Sequence, residues 1–243
     1  GRRRLEEGTN LRHLQVQPID LGACEDFAVM AASTATCAGS FDCDIIGGYL
    51  GVYPGTSATG NFVGDIALTT EDSAGCAADG LAAWTAGRAT TGTSMLAEMG
   101  GKTFSPGVYT HGTAINIALS SPKVYLDAKG DPDAVFVFNV GTTLTTCAGS
   151  EIVLLNGARK DNVFWVLGTA LTMGADSTFV GNVLAGSAIT IGTNGSIMGR
   201  AIAQTAVTCE TACTVATTGF ESAAPSAGPS GPSAGPSGAP SAG

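Results

Sequence analysis

The residues of this chain that could carry covalent, metal or acid–base chemistry are few. They are seven cysteines (Cys24, Cys37, Cys43, Cys76, Cys147, Cys209 and Cys213), two histidines (His13 and His111) and 20 scattered carboxylates. Acid–base cleavage of an acidic polysaccharide needs clustered carboxylates with Lys or Arg to meet substrate charge, and no such cluster is visible. His111 follows the Pro106–Thr110 stretch in an expected turn. No paired CxxC zinc pattern occurs. Asp131-Pro132-Asp133 reads as a turn, and no acidic ladder recurs that would hold calcium. The reading is therefore no enzyme, no cofactor and no metal. The cysteines remain as candidate disulfide partners, a usage that belongs to oxidising compartments. Their connectivity is open, and the odd count leaves one thiol free or paired between chains.

The other chemistry on offer is that of hydroxyls and methyls in rows. TALTMGADSTFVGNVLAG (169–186) aligns without a gap on SAITIGTNGSIMGRAIAQ (187–204), an offset of 18 residues. Leu171 falls on Ile189, Thr172 on Thr190, Gly181 on Gly199 and Ala185 on Ala203. Val207 and Thr208 continue the first two columns, and TLTTCAGSEIVLLNGA (143–158) is a less regular earlier copy. Short β-prone runs at such a period, with glycines at the bends, describe a solenoid of about three short strands per coil. Strand side chains alternate, so stacked Leu171, Ile189 and Val207 point inward and their Thr neighbours point outward. The outward column is expected to be Thr145, Thr172, Thr190 and Thr208. A second set is Thr169, Ser187 and Thr205, with Thr178 and Ser196 also considered. Early-coil candidates are Thr34, Thr36, Thr56 and Ser57.

The elements that must position these rows are mainly β. One exception lies near residues 70–89, where Ala74, Ala77, Ala78, Leu81 and Trp84 recur at helical spacing. Thr70 could cap this helix, with Glu71 and Asp72 at its positive end, while Gly75 and Gly80 weaken it. Laid along one wall, the helix would cover that wall and interrupt the solenoid. Asn139, Asn156 and Asn182 are expected near corners. Phe136, Phe138, Phe164 and Phe179 fall on apparent core columns, with Trp165 in the core or against the helix.

Composition limits the partners. The net charge is −9, and charged residues make up 13 % of the chain, about half the usual share. Four of the seven arginines (Arg2, Arg3, Arg4 and Arg12) precede the repeats, so no basic track exists for nucleic acid or an anionic membrane. No apolar run approaches the ~20 residues of a membrane span. The chain divides into a polar lead (1–20), a solenoid domain (21–220) and a Pro/Ser/Gly/Ala-rich tail (221–243) without bulky apolar residues. The opening GRRRLEEG reads as a segment left after upstream processing, the signal peptide having been removed. Asn194-Gly195-Ser196 is an N-glycosylation acceptor. An extracellular location is expected, and the tail is a candidate point for glycans or cell-surface attachment.

Several stretches carry a resemblance. They are LGACEDFAVMAASTATCAGS (21–40), GGYLGVYPGTSATG (47–60), GGKTFSPGVYTHGTAINI (100–117), DPDAVFVFNVGTTLTT (131–146), NGARKDNVFWVLGTALTMGADSTFVGNVLA (156–185) and GSAITIGTNGSIMGRAIA (186–203). In content and order they resemble the microbial and algal ice-binding protein family. The resemblance implies a discontinuous β-solenoid of roughly triangular cross-section with one α-helix alongside. It also implies adsorption to ice through a flat face, shaping crystals, producing thermal hysteresis and inhibiting recrystallisation. The cysteine count and the tail depart from the family pattern and suggest a disulfide-stapled, tethered version. The physical fit is direct. Strand spacing of about 4.7–4.9 Å lies near an oxygen repeat of ice, and Thr presents a hydroxyl and a methyl on a stiff χ1. The competing reading is a cell-surface adhesion or cell-wall module, for which exposed aromatics along a wall would be expected.

Overall fold

A computed structural model describes residues 16–66 and 71–219. Thr70, most of the polar lead and the 221–243 tail lie outside the described residues. Short strands wind through three walls, and all named strands pair in parallel. The 18-residue offset is the register itself: Leu171 pairs with Ile189, and Thr178–Ala185 pairs residue for residue with Ser196–Ala203.

The solenoid is discontinuous. The first coil (Phe27–Ala31, Thr34–Cys37, Cys43–Ile46) stacks on the last (Ser196–Ala203, Ala206–Cys209, Thr214–Ala216). The second coil (Tyr49–Val52, Ser57–Thr59, Phe62–Val63) stacks on the outer side of the first. The helix Glu71–Arg88 follows. The chain then restarts at the opposite end with Thr93–Ser94 and Gly107–His111 and climbs back coil by coil. The helix is what carries the chain from end to end. Eighteen helical residues span about 27 Å. The eight parallel strands of the wall beneath it span roughly 34 Å, so the helix covers most of the stack height.

That covered wall explains strands buried on both sides, such as FVFNV (Phe136–Val140) and VFWVL (Val163–Leu167). One side feeds the interior, where Tyr109, Phe138, Trp165 and Phe179 stack with neighbouring centroids 4.2–5.5 Å apart. The other side, with Phe27, Met30, Val137, Phe164, Val166, Leu184 and Ile202, meets the helix. Burial on two sides is what makes continuous apolar runs the right sequence for this wall.

The helix sits where the sequence puts it, but its inner face differs from the expected one. Ser73, Cys76, Gly80, Ala83 and Gly87 are buried, whereas Ala78 and Leu81 face outward. The cause is close approach. A Cβ on Gly87 would lie 2.6 Å from Val166 Cγ2, and one on Gly80 would lie 2.9 Å from Ile202 Cγ2. The small stripe is the contact stripe, so Gly80 is a packing requirement rather than a weakness. Trp84 anchors one edge by donating Nε1–H to Leu167 O at 2.8 Å. At the C-terminal end Arg88 donates to Val140 O at 2.6 Å and to the Asn139 side-chain oxygen. Asn139 is therefore within a strand rather than at a corner; its amide donates to the carbonyls of Arg88 and Thr90 and satisfies the helix end. His111 likewise closes a strand, with its ring nitrogens at Met95 O and Thr113 Oγ1. Asn156 is a corner residue with φ +50°, and Asn182 follows the bend at Gly181. A Cβ on Gly199 would collide with the Gly181 carbonyl of the coil beside it, which accounts for that glycine column.

Two disulfides are present. Cys24–Cys76 ties the first turn of the described core to the helix, and Cys37–Cys43 closes a corner of the first coil. Cys147, Cys209 and Cys213 are free.

Candidate functional site

The second wall is a seven-stranded sheet, Ile115–Ile117, Leu144–Thr146, Leu171–Thr172, Ile189–Ile191, Ala206–Cys209, Thr34–Cys37 and Ser57–Thr59 in spatial order. The middle residue of each strand register faces outward and forms one column: Asn116, Thr145, Thr172, Thr190, Thr208, Thr36 and Thr59. Six consecutive positions are Thr. Their inward neighbours, among them Leu144, Leu171, Ile189, Val207 and Ala35, are fully buried or nearly so. This is the alternation that the sequence repeat implies, and it holds the hydroxyls on a rigid base.

Two further rows flank the column. Two residues earlier on each strand lie Thr143, Ala170, Ala188, Ala206, Thr34 and Ser57, with Thr34 in register with Ala206 and Ser57. At the corner beyond them runs a hydrogen-bonded row in which Ser33 N–H donates to Thr205 O, Thr205 to Ser187, Ser187 to Thr169 and Thr169 to Thr142. The set Thr169, Ser187 and Thr205 is thus the edge of the same wall as the Thr column. Thr34 Oγ1 and Thr36 Oγ1 lie 3.5 Å apart, and Thr59 Oγ1 donates to Thr36 Oγ1 at 3.4 Å. The column is continuous across the seam where the first coil meets the last.

Not every candidate lies there. Thr56 falls one residue before its strand. Thr178 and Ser196 lie on the third wall, in a column running Glu151, Thr178, Ser196, Thr214, Asp44 and Val63. Two residues were missed, Thr59 and Asn116. Thr59 was legible, because Ser57-Ala58-Thr59 repeats the pattern of Thr34-Ala35-Thr36. Asn116 was not, since it breaks the Thr column; its amide donates to Glu98, which makes it the polar end of the row.

The Thr wall has a uniform chemistry. No charged side chain occupies its six Thr rungs, and Glu98, bridged to Asn116, puts a carboxylate at the far end of the column. The described cavities lie elsewhere. One, of about 490 Å³, lies between the helix and the Gln17–Gly22 segment. Another, of about 380 Å³, lies at the solenoid end near Phe104 and Tyr109. The acceptor Asn194 is exposed at the corner between the Thr wall and the third wall, with φ +56° and its amide donating to Asp176 Oδ1 at 3.0 Å.

A family model described as ice-binding-like matches residues 28–215. The chain belongs to the ice-binding-like family. An ice-binding protein of Nostoc sp. (strain HG1) is 37 % identical over 175 residues, which is 68 % of this chain and 61 % of the relative. Ice-binding protein 1 of Shewanella frigidimarina (strain NCIMB 400) is 42 % identical over 36 % of this chain and 10 % of its own length. The chain thus spans less than two thirds of both relatives. The crystal structure of an ice-binding protein from Antarctomyces psychrotrophicus has a TM-score of 0.77 at 34 % identity, covering 84 % of this chain and all of the other. A second, from an Antarctic biological consortium, also has a TM-score of 0.77, at 30 % identity, covering 83 % and 92 %.

Proposed function

We propose that this protein adsorbs to ice through the seven-stranded Thr wall, shaping crystals and inhibiting their growth and recrystallisation. The observation that carries the reading is the unbroken column Thr145, Thr172, Thr190, Thr208, Thr36 and Thr59, in register on a wall that no other described element covers. Parallel pairing repeats each hydroxyl and methyl at about 4.7–4.9 Å. One such contact is worth about 1 kcal/mol net. A preorganised array sums many of them, because little side-chain entropy remains to be lost. Long charged chains would hold mobile water of their own, and the six Thr rungs lack them.

Thr169, Ser187 and Thr205 extend the contact at one edge, and the Ala positions between the rows keep the surface low. Asn194 flanks the other edge, where a glycan would stand beside the contact, so it is unmodified in the active protein. The ice crystal surface is the partner, and the location is extracellular, a reading that the disulfides favour. The tail (221–243) is a candidate for glycan or cell-surface attachment.

The test is thermal hysteresis with microscopy of a single ice crystal in purified, oxidised protein. A faceted crystal whose growth pauses below the melting point is the expected result. A rounded crystal growing freely, with no inhibition of recrystallisation, would overturn the reading.

A further inference from the structure

The corner between the Thr wall and the third wall holds four cysteines in two adjacent coils. Cys37 lies directly opposite Cys209 in parallel register. Asp44 N–H donates to Cys213 O at 2.8 Å, and Asp44 pairs with Thr214, so Cys43 lies opposite Cys213. The Sγ atoms of Cys43, Cys209 and Cys213 are all within 4.8 Å of one another. All four residues are buried. The two corners are tightly stacked: a Cβ on Gly39 would collide with Thr211.

We propose that Cys209 and Cys213 close a third disulfide, parallel to Cys37–Cys43 and one coil below it, so that one bridge stands on either side of the seam. The argument is the stacking. Cys37 and Cys43 bridge with Cα atoms 6.1 Å apart. Each sits over its counterpart in a parallel ladder, so the counterparts are about as far apart as the bridged pair, inside the usual disulfide range. The two corners differ in length, five intervening residues against three, yet they bring their ends to the same rungs.

Chain order selects this pairing over cross-coil ones. A loop from Cys209 to Cys213 closes at little entropic cost, whereas Cys37 and Cys209 are separated by most of the chain. Local closure therefore occurs early, before burial removes the thiols from the oxidant. In the folded corner the two thiols are in contact, which holds Cys213 below and Cys209 above the ordinary thiol range. The thiolate is the attacking form. Cys213 S⁻ displaces one thiolate from a small-molecule disulfide, forming a mixed disulfide. Cys209 then loses its proton and attacks the Cys213 sulfur, releasing the second small thiol. Two protein thiols are oxidised and one external disulfide is reduced.

The bridge acts on the Thr wall. The strand Ala206–Cys209 carries Thr208 and ends at Cys209; the strand Thr34–Cys37 carries Thr36 and ends at Cys37. Each bridge closes the corner of its own coil, one on either side of the seam where the Thr column passes between segments remote in sequence. Cys147, half-buried with no cysteine opposite it among the described residues, becomes the odd thiol.

The test is a peptide map of the full chain refolded in a mixture of reduced and oxidised glutathione, alkylated in denaturant without reduction and cleaved after glutamate. Glu210 lies between the two cysteines, so a disulfide leaves the flanking peptides joined until reductant is added. Thiol titration in denaturant gives one thiol per chain with the bridge, against three without it. Cys213→Ser raises the wild-type count by one if the bridge exists and lowers it by one if it does not. Alkylation of both Cys209 and Cys213, a Cys209 link to Cys37 or Cys43, or stoichiometric zinc with the cluster reduced would each overturn the proposal. Loss of the bridge lowers Tm by roughly 5 °C.

Discussion

Two walls of this solenoid stand free of the helix, and they differ only in what points outward. Both are parallel and share one interior. On the Thr wall the outward column is Thr at six successive rungs. On the third wall the corresponding column mixes Glu151, Thr178, Ser196, Thr214, Asp44 and Val63, and a Lys123–Glu151 ion pair at 2.6 Å stands on it. The backbone supplies the spacing to both, so on the proposed reading spacing alone does not make an adsorbing surface. Uniformity of small, uncharged groups is the distinguishing property. The largest expected effect tests this directly. Thr190→Tyr places a bulky ring mid-column and is expected to reduce thermal hysteresis on the order of tenfold, as loss of a central contact does in other interfaces. Thr178→Tyr, one wall away, is expected to leave it near wild type. Both changes are at the surface and should shift stability by no more than about 0.5 kcal/mol, checked by Tm. Equal losses from the two variants would erase the distinction between the walls.

The covered wall sharpens the comparison from the other side. Its outward residues are apolar because a helix lies on them, and the helix approaches through Gly80, Ala83 and Gly87 rather than through large side chains. Gly87→Val would drive a branched side chain into Val166 and is expected to cost about 1–3 kcal/mol by overpacking, read as a lower Tm. Hysteresis per folded molecule should stay unchanged, since the Thr wall is remote from the helix. A variant that folds with wild-type Tm would mean that the close approach contributes little.

Much of the fold was legible because an 18-residue period leaves its mark twice, in inward aliphatics and outward threonines. The columns through Leu171, Ile189 and Val207, and through Thr172, Thr190 and Thr208, required only strand alternation. The helix was legible as an element but not as a surface: hydrophobicity points to Leu81, whereas the determining constraint was backbone proximity, which selects glycine and alanine. The split of Thr178 and Ser196 from the Thr column was illegible for a related reason. A period fixes which residues stack but not which wall each column occupies, and the eight-residue strands Thr178–Ala185 and Ser196–Ala203 turn a corner at Gly181 and Gly199 without a break in pairing. The cysteine pairing stayed open because partners are set by stacking of coils remote in sequence.

The smallest effect concerns pH and separates the free walls once more. On the third wall, Asp127 ends the strand Lys123–Asp127, and its carboxylate accepts from Asn156 Nδ2 and from the Lys129 backbone N–H, each at 2.8 Å. The Asn156 bond first, and the Lys129 bond second, hold its pKa below the ordinary carboxylate value. A depressed folded pKa contributes stability that is present above the unfolded value, near 3.8, and is lost as pH falls through the folded one. Asn156→Gly removes the donor and keeps a residue suited to φ +50°. NMR titration is expected to show the Asp127 pKa rising toward its ordinary value, with a shallower loss of stability on the acid side. The six outward threonines carry no titratable group and Glu98 stands only at the far end of their row, so hysteresis of this variant, relative to wild type, should follow the folded fraction as pH is lowered. A change in hysteresis at constant folded fraction would couple the third wall to the ice contact and undo the separation of the two walls.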